Sequence, residues 1–274
     1  MKGQIIKIVS DDYFIDSSNG EFICKARGKF RKDNISPKVG DYVIFDMDKK
    51  IIEEILPRKN ELDRPLVSNI DEAFIVTSLK KPEFSENLLD KLLTVCEINN
   101  IKPIICITKK DLVTKSEFNR VKKILNYYKK LGYTVVYNNQ LFKIKRMFKN
   151  KTVVFTGQTG AGKSSLINKL DKNLDFETDE ISEALGRGKH TTRYVTLVKI
   201  GKGMVVDTPG FSAIDLSIYS KEQIKNSFIE FNKYNCPYKD CMHIKENDCE
   251  VKKHINNGIL KSRYYNYIKF IEKR

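Results

Sequence analysis

Short runs of alternating apolar and polar residues fill the first part of the chain and predict β-strands. The runs are QIIKIVS, YFIDS, EFICKAR, DYVIFDM and KIIEEIL, and turn residues separate them at 11–12, 17–20 and 39–40. Five short strands in about sixty residues indicate a small closed barrel of the oligonucleotide-binding (OB) type. Residues 59–69 are polar and contain a proline, so we predict a linker there.

From residue 73 the pattern changes to continuous apolar runs that alternate with helical periodicity. The predicted strands are AFIVTSL (73–79), PIICIT (103–108), TVVYN (134–138), 151–156, 193–200 and 203–210, and the predicted helices are 87–100, 116–132, 140–150, 220–234 and 250–273. Strands that alternate with helices are typical of an α/β domain with a mostly parallel sheet and helices on both faces.

The segment VVFTGQTGAGKSSLINKL, residues 153–170, matches the spacing G-x-x-x-x-G-K-[ST] of a phosphate-binding loop. Glycines let the backbone approach phosphate oxygens, and the loop amides and the new helix N-terminus point at the anion. A surface turn before an ordinary helix is the alternative, but the strand–loop–helix context favours a P-loop. The predicted nucleotide-binding residues are Gly157, Gln158, Thr159, Gly160, Ala161, Gly162, Lys163, Ser164 and Ser165, with Lys163 reaching the outer phosphates and Ser164 placed for magnesium.

A second candidate motif, Thr108-Lys109-Lys110-Asp111, follows the apolar run 103–108. The motif resembles the base-reading N-K-x-D sequence of GTPases, and ligands of open α/β sheets bind at the carboxyl ends of strands. An Asp carboxylate accepts two hydrogen bonds from the N1 and N2 donors of guanine, whereas adenine offers no such pair. A lysine-rich helix cap is the alternative interpretation, and the P-loop in the same predicted sheet favours base recognition.

Two later stretches complete a set of nucleotide-binding motifs. The polar stretch 171–192 contains GRGKHTT (186–192), where Thr191 or Thr192 could close on magnesium when a γ-phosphate is present. The sequence Asp207-Thr208-Pro209-Gly210 matches D-x-x-G, in which Asp207 can hold the magnesium shell through water and the Gly210 amide can sense the γ-phosphate. A plain turn is the alternative interpretation of this second stretch.

The order of these motifs differs from that of an ordinary GTPase, in which the phosphate loop comes first and N-K-x-D comes last. Here the base-reading motif at 108–111 precedes the phosphate loop, and D-x-x-G at 207–210 comes last. The order predicts a circularly permuted GTPase domain, which is tolerated where the original chain ends lie close together. The loop after Asp207 then leads directly into the C-terminal segment.

The C-terminal segment contains a dense cluster of potential metal ligands. Cys236, Cys241, His243 and Cys249 lie within fourteen residues, and their spacing suits one structural zinc ion in a tetrahedral site. The other three cysteines, Cys24, Cys96 and Cys106, occur in apolar runs and are predicted to be buried thiols. We therefore expect a helical zinc-binding domain at the C-terminus.

The chain carries a net charge of +15 over 274 residues. The excess of lysine and arginine fits either a nucleic-acid partner or a solvated surface in a lysine-rich proteome. Basic residues flank aromatic ones near residues 25–42, and this combination favours RNA at the barrel over a plain barrel with a charged rim. The same combination near residues 252–269 fits an RNA-facing surface and a solvated one equally well. The N-terminus has no apolar signal core and no run of eighteen apolar residues occurs, so we expect no membrane partner and a cytoplasmic location.

Taken together, RGKFRK, VGDYV, RPLVSNIDEAF, GQTGAGKSS, GRGKHTT, DTPGF and C-x4-C-x-H-x5-C resemble the RsgA (YjeQ) family of circularly permuted GTPases that depend on the small ribosomal subunit. The resemblance covers nearly the whole chain. It implies a GTPase that binds the maturing small subunit and its rRNA, is stimulated by the subunit and leaves after hydrolysis. It also implies magnesium with GTP and one zinc ion.

Three positions depart from the usual GTPase pattern. The residue after D-x-x-G, a water-orienting Gln in many GTPases, is Phe211, and the family resemblance assigns the water to His190 instead. The usual Asn of the base motif is Thr108, whose hydroxyl is shorter and makes fewer hydrogen bonds. The usual base-supporting Ser-Ala element is not evident near Asn138 and Asn139, so guanine selectivity rests largely on Asp111. Packing within a polar loop is the alternative role of His190.

The predicted organisation is an OB-type RNA-binding barrel at 1–60, a permuted GTPase domain at 61–218 and a zinc-binding helical domain at 219–274, in a monomeric protein. The predicted function is GTP hydrolysis during late assembly of the small ribosomal subunit, with Lys163, His190, Thr191 and Thr192 as catalytic residues. One alternative is an RNA-binding module that uses GTP occupancy as a switch with little turnover. Another is an ATP-using enzyme, against which Asp111 argues.

Overall fold

The computed structural model describes residues 1–28, 30, 35–63, 66–171, 195–207 and 215–272. The strands are β1 (Lys2–Val9), β2 (Asp12–Ser17), β3 (Gly20–Ala26), β4 (Tyr42–Asp46), β5 (Ile51–Ile55), β6 (Glu61–Asp63), β7 (Leu66–Ser68), β8 (Glu72–Ser78), β9 (Lys102–Thr108), β10 (Thr134–Tyr137), β11 (Thr152–Gly157), β12 (Thr196–Ile200) and β13 (Gly203–Asp207). The helices are α1 (Glu86–Ile98), α2 (Lys115–Lys130), α3 (Leu141–Met147), α4 (Lys163–Leu170), α5 (Lys221–Ser227), α6 (Glu250–Lys253) and α7 (Lys261–Glu272).

These elements form two compact units. The first comprises the described residues of Met1–Ala73, Gln140–Phe155 and Ser164–Phe211, and the second comprises those of Phe74–Asn139, Thr156–Lys163 and Ser212–Arg274. Three of the boundaries, after residues 73, 155 and 163, fall inside β8, β11 and α4.

The first five strands form the barrel that the alternating pattern predicts. Their order is β1-β2-β3-β5-β4, and β4 pairs back onto β1, which closes the barrel. The barrel core consists of Phe30, from the connection between β3 and β4, and six buried strand residues: Ile5, Ile15, Cys24, Val43, Phe45 and Ile52. Closure leaves β4 without an open edge, as expected for a small barrel.

The stretch 59–69 is not a linker, because β6 and β7 form an antiparallel hairpin in which Leu62 pairs with Val67 and both are buried. A buried carboxylate anchors this hairpin to the barrel. Asp41 accepts hydrogen bonds from Arg58 Nε at 2.7 Å and from Ser68 Oγ at 2.5 Å. Burying a charge is costly unless it is paired and hydrogen-bonded, and these donors meet that requirement.

Strands β11, β12 and β13 of the first unit extend the sheet from barrel strand β1. β12 and β13 form an antiparallel hairpin, β13 lies parallel to β11, and β12 pairs with β1 through Thr196 and Lys7. Helix α3 packs beside the turn of this hairpin, where the Asn150 amide donates to the Lys202 carbonyl at 2.7 Å. A Cβ at Gly203 would collide with the Phe148 backbone, so only glycine permits this approach.

In the second unit, β8 and β10 flank β9, and β9 and β10 are parallel. The apolar runs are buried as predicted, and Ile104, Ile105, Cys106 and Ile107 are fully inaccessible to solvent. Helices α1 and α2 begin at the side-chain caps Ser85 and Thr114. No helix in the described ranges combines the length and the apolar character that a membrane crossing needs.

The two predicted C-terminal helices are shorter than expected. The stretch 220–234 contains α5 and then a separate 3₁₀ turn at Phe231–Lys233. The stretch 250–273 divides into α6 and α7, because Asn256 (φ 66°) and Gly258 (φ 113°) adopt left-handed conformations between them. Such residues end helices.

A buried ionic network joins α7 to α1 in this unit. Arg263 donates to Asp90 Oδ1 at 2.6 Å and to Glu230 Oε1 at 2.5 Å, and all three side chains are at most 1% exposed. Tyr128 Oη and Asn266 Nδ2 complete the hydrogen bonding of Asp90. The network therefore holds the C-terminal helix against the helix that follows β8.

Candidate nucleotide site and metal cluster

The loop after β11 has the backbone that a phosphate-binding loop requires. Gly157, Gly160 and Gly162 have φ values of 134°, 75° and 91°, which other residues rarely adopt. A Cβ at Gly157 would also fall on the carbonyl of Val76 in β8. The glycines of the sequence motif are thus explained by backbone conformation, and at Gly157 by close packing as well.

Lys163, the first residue of α4, folds its side chain back over this loop. Its Nζ donates hydrogen bonds to the carbonyls of Gly157 at 3.1 Å and Gln158 at 2.9 Å. The ammonium therefore lies over the concave loop, where it can meet the outer phosphates of a nucleotide. Ser164 and Ser165 follow it in the first turn of the same helix.

The end of β9 is tied directly to the phosphate loop. Thr108 is 2% exposed, and its hydroxyl donates to the carbonyl of Ala161 at 2.6 Å. Lys109, with φ 54°, donates from Nζ to the carbonyl of Gly160 at 2.7 Å and to that of Lys81. Two adjacent residues of the base motif thus hold two adjacent residues of the phosphate loop.

The two lysines of the base motif point in different directions. Lys110 Nζ lies 4.4 Å from the ring centroid of Phe118 and 5.6 Å from that of Tyr137, as in cation–π contacts. Lys109 lies beside the phosphate loop. Asp111 is exposed in the 3₁₀ turn Lys110–Leu112, which precedes α2. A nucleotide base can therefore reach Asp111, and Lys109 is the lysine whose stem can lie along the plane of that base.

Helix α2 begins with a capping box directly after this 3₁₀ turn. Glu117 accepts from the Thr114 amide, Thr114 Oγ1 accepts from the Glu117 amide, and Lys80 donates to Glu117 at 3.1 Å. The hydrogen bond from the Thr114 backbone, followed by that from Lys80, lowers the pKa of Glu117 to about 2. The sequence prediction did not include Lys80, Lys81 or Glu117, although Thr114-x-x-Glu117 is a recognisable capping box.

The remaining predicted nucleotide ligands are only partly described. Asp207 is the last residue of β13, which lies parallel to β11, the strand that leads into the phosphate loop. His190, Thr191, Thr192, Gly210 and Phe211 lie outside the described residues.

The four predicted metal ligands converge in the second unit. The Sγ atoms of Cys236, Cys241 and Cys249 and the Nδ1 atom of His243 all lie within 4.8 Å of one another. His243 Nδ1 is 3.5, 3.3 and 3.3 Å from the three sulfurs, and Cys236 Sγ is 3.7 Å from Cys249 Sγ. A tetrahedral zinc ion with bonds of about 2.0–2.3 Å places its ligands about 3.5–3.8 Å apart. The cluster can therefore hold one metal ion.

The surroundings of the cluster suit a closed structural site. Burial, and after it the charge of Lys225, lowers the pKa of His243, which favours the neutral imidazole that binds metal. Two tyrosines of α7 brace the segment, since Tyr264 donates to the His243 carbonyl at 2.6 Å and Tyr267 to the Met242 carbonyl at 2.5 Å. The cluster is thus built into the same unit as α7.

Comparisons with known proteins identify the family of this chain. The family model described as RsgA GTPase matches residues 55–217, and that of the RsgA N-terminal domain matches residues 2–51. The small ribosomal subunit biogenesis GTPase RsgA 2 of Oceanobacillus iheyensis is 46% identical over 99% of this chain and 96% of its own. The small ribosomal subunit biogenesis GTPase RsgA of Pediococcus pentosaceus is 43% identical over 98% of this chain and 92% of its own.

Two solved structures share the fold over almost the whole chain. YjeQ from Thermotoga maritima superimposes with a TM-score of 0.87 at 32% identity, covering 99% of this chain and 97% of its own. YloQ, described as a circularly permuted GTPase, gives a TM-score of 0.84 at 35% identity, covering 99% and 94%. The predicted α/β P-loop fold, circularly permuted and preceded by a barrel, is confirmed. The chain belongs to the RsgA GTPase family.

Proposed function

We propose that this protein hydrolyses GTP as a late assembly factor of the small ribosomal subunit, which it binds through rRNA and which stimulates its turnover. The observation that carries the nucleotide part is the pair of hydrogen bonds from Thr108 and Lys109 to the phosphate loop. Because these bonds join the strand end that bears Asp111 to the loop that bears Lys163, one nucleotide can meet both. The names of the relatives support the ribosomal part.

In this proposal each motif has a separate role. Gly157 to Ser165 bind the phosphates, Lys163 neutralises the outer phosphates, and Asp111 reads the N1 and N2 donors of guanine. Magnesium, bound with GTP, is held by Ser164, by Thr191 or Thr192, and through water by Asp207, while the Gly210 amide senses the γ-phosphate. His190 aligns the attacking water, since a phenyl ring at position 211 cannot orient one.

The cluster of Cys236, Cys241, His243 and Cys249 binds one zinc ion in this proposal. Four protein ligands complete a tetrahedral shell and leave no position for a substrate, so the ion supplies structure and no catalysis. We further propose the domain boundaries at 60 and 218, a cytoplasmic location and a monomeric chain.

The function is tested by measuring phosphate release from GTP and ATP by the full-length protein, with and without purified small ribosomal subunits. We expect slow hydrolysis of GTP that small subunits accelerate, no acceleration by large subunits, and loss of hydrolysis in Lys163→Ala. Absence of stimulation by small subunits would contradict the proposal. Displacement of labelled GTP by ATP as effectively as by GDP would instead favour an ATP-using enzyme.

The alternative function is an RNA-binding switch that uses GTP occupancy with negligible turnover. The variant His190→Ala distinguishes this switch from a GTPase. If the protein is a GTPase with His190 at the water, this variant loses stimulated hydrolysis and keeps GTP binding. If occupancy alone matters, the variant releases small subunits with the same nucleotide dependence as the unchanged protein.

A further inference from the structure

Helix α3 exposes its single aromatic side chain, Phe142, to solvent. Phe142 is 82% exposed, whereas Ile144 and Phe148 of the same segment are 0% and 1% exposed. The helix therefore has a normal buried face, and Phe142 is not needed for it. Position 142 lies on the opposite side of the helix, where a polar residue would be expected.

The exposed side of α3 is a stripe of cations around this ring. Lys145 and Arg146 follow Phe142 at i+3 and i+4, which places these three residues along one face of α3. Lys149 lies in the turn two residues past the end of the helix, and all four residues are exposed. The basic residues Lys145 and Arg146 in the last turn are explained by their favourable interaction with the helix C-terminus. This interaction does not explain the exposed phenyl ring next to them.

The neighbouring hairpin turn adds further positive charge. The Asn150 amide donates to the Lys202 carbonyl at 2.7 Å, and a Cβ at Gly201 would lie 3.6 Å from Cε of Lys145. Lys202 is exposed, as are Lys143 on α3 and Lys199 on β12. Within the described ranges, no carboxylate forms an ion pair with any of the six cations Lys143, Lys145, Arg146, Lys149, Lys199 and Lys202.

We propose that the exposed surface of α3 and the adjacent hairpin, which carries Phe142 and these six cations, binds an unpaired stretch of RNA. One base stacks on the Phe142 ring, and the flanking phosphates meet Lys145, Arg146 and Lys202. A polyanion fits a surface whose cations have no carboxylate partner among the described residues, and an aromatic face among them suits single-stranded rather than duplex RNA. This inference adds an RNA-binding surface to the proposed function. That the RNA is ribosomal rests on the proposed function.

The test uses the full-length protein and a twelve-nucleotide oligouridylate that carries 5-iodouridine. Irradiation is expected to cross-link the oligonucleotide to the peptide that contains Phe142. Phe142→Ala removes this cross-link. It weakens binding about five- to 150-fold, which is the usual effect of replacing one base-stacking aromatic residue by alanine. Phe142→Tyr retains both. Cross-links confined to other peptides would overturn the proposal.

Two controls separate stacking from general attraction. Phe142→Leu keeps an apolar side chain without a ring face, and full RNA affinity in this variant would contradict stacking. Lys145→Ala/Arg146→Ala is expected to reduce the slope of log affinity against log salt by about 1.4, whereas Lys129→Ala/Lys130→Ala on α2 leaves it unchanged. Equal competition by polyglutamate would also contradict RNA recognition.

Failure of this proposal differs from failure of the proposed function. If Phe142→Ala loses neither the cross-link nor affinity while small subunits still stimulate GTP hydrolysis, only the RNA surface is refuted. If the unchanged protein shows no stimulation by small subunits, the proposed function is refuted, and the cross-link still reports on the surface. Hydrolysis without subunits should be equal in all these variants.

Discussion

The Thr108 hydroxyl lies 2.6 Å from the Ala161 carbonyl oxygen and joins the end of β9, which carries the predicted base motif, to the phosphate loop. The usual residue at this position is Asn, and a shorter hydroxyl was expected to make a weaker connection. Both groups are buried, with Thr108 at 2% and Ala161 at 0% exposure. One short hydrogen bond without solvent competition, reinforced by that of Lys109, thus connects the two loops.

This relationship predicts that Thr108→Val weakens nucleotide binding. Valine keeps the shape of threonine and removes the donor, which costs about 1 kcal/mol for a buried hydrogen bond, so Kd for GTP and GDP should rise about three- to tenfold. Titration with a fluorescent guanine nucleotide measures the change. Thr108→Ser and Thr108→Asn, which keep a donor, are the controls. An unchanged Kd in the valine variant would show that Lys109 alone holds the loops together.

Asp111→Asn should change the base preference of the site. The carboxylate accepts from two guanine donors, and hydrogen bonds to charged groups contribute about 1.5–3 kcal/mol each, so the affinity for GTP should fall about a hundredfold or more. Xanthine carries an oxygen where guanine carries its N2 amino group, and the Asn amide can donate to that oxygen. We therefore expect xanthosine triphosphate to bind the variant better than GTP. Competition titrations with both nucleotides measure this, and an unchanged preference for GTP would remove Asp111 from the base site.

The backbone of the phosphate loop was predictable because a phosphate-binding loop constrains which residues can occupy it. A glycine at 157 and a lysine at 163 have no common alternative in a phosphate loop, and their order relative to Asp111 specified the circular permutation. The metal cluster was predictable for the same reason, since Cys236, Cys241 and Cys249 occur at ligand spacing.

The connections between motifs were not predictable, because they depend on tertiary contacts. Nothing in the sequence around Asp41 indicates that Arg58 and Ser68 meet it, and this network explains why the stretch predicted to be a linker is an ordered hairpin. The break between α6 and α7 had a local signal in Asn256 and Gly258 that the long helix prediction overlooked.

Arg263 supports the fold of the second unit, and Arg263→Met should destabilise it strongly. The substitution leaves Asp90 and Glu230 as uncompensated buried carboxylates, and breaking a buried pair in this way costs about 3–5 kcal/mol. Urea unfolding monitored by circular dichroism measures the loss. Lys269→Met, on an exposed position of the same helix, is the matched control and should change stability by less than about 0.5 kcal/mol. Equal effects of the two substitutions would contradict the structural role of the network.

Metal removal provides a final test of the C-terminal cluster. The ligand distances suit zinc, so purified protein should contain one zinc ion per chain by elemental analysis. Cys249→Ser removes one ligand and should abolish stoichiometric zinc, whereas Cys24→Ala, at a buried thiol in the barrel, should retain it.

Because a structural zinc site contributes folding free energy directly, a strong chelator should lower the stability of the protein by about 3 kcal/mol or more. GTP binding should persist, since the side-chain hydrogen bonds that hold the phosphate loop come from Thr108, Lys109 and Lys163 and not from the four metal ligands. A metal-free protein that is as stable as the loaded one would show that hydrogen bonds such as Tyr264 to His243 suffice to hold this segment.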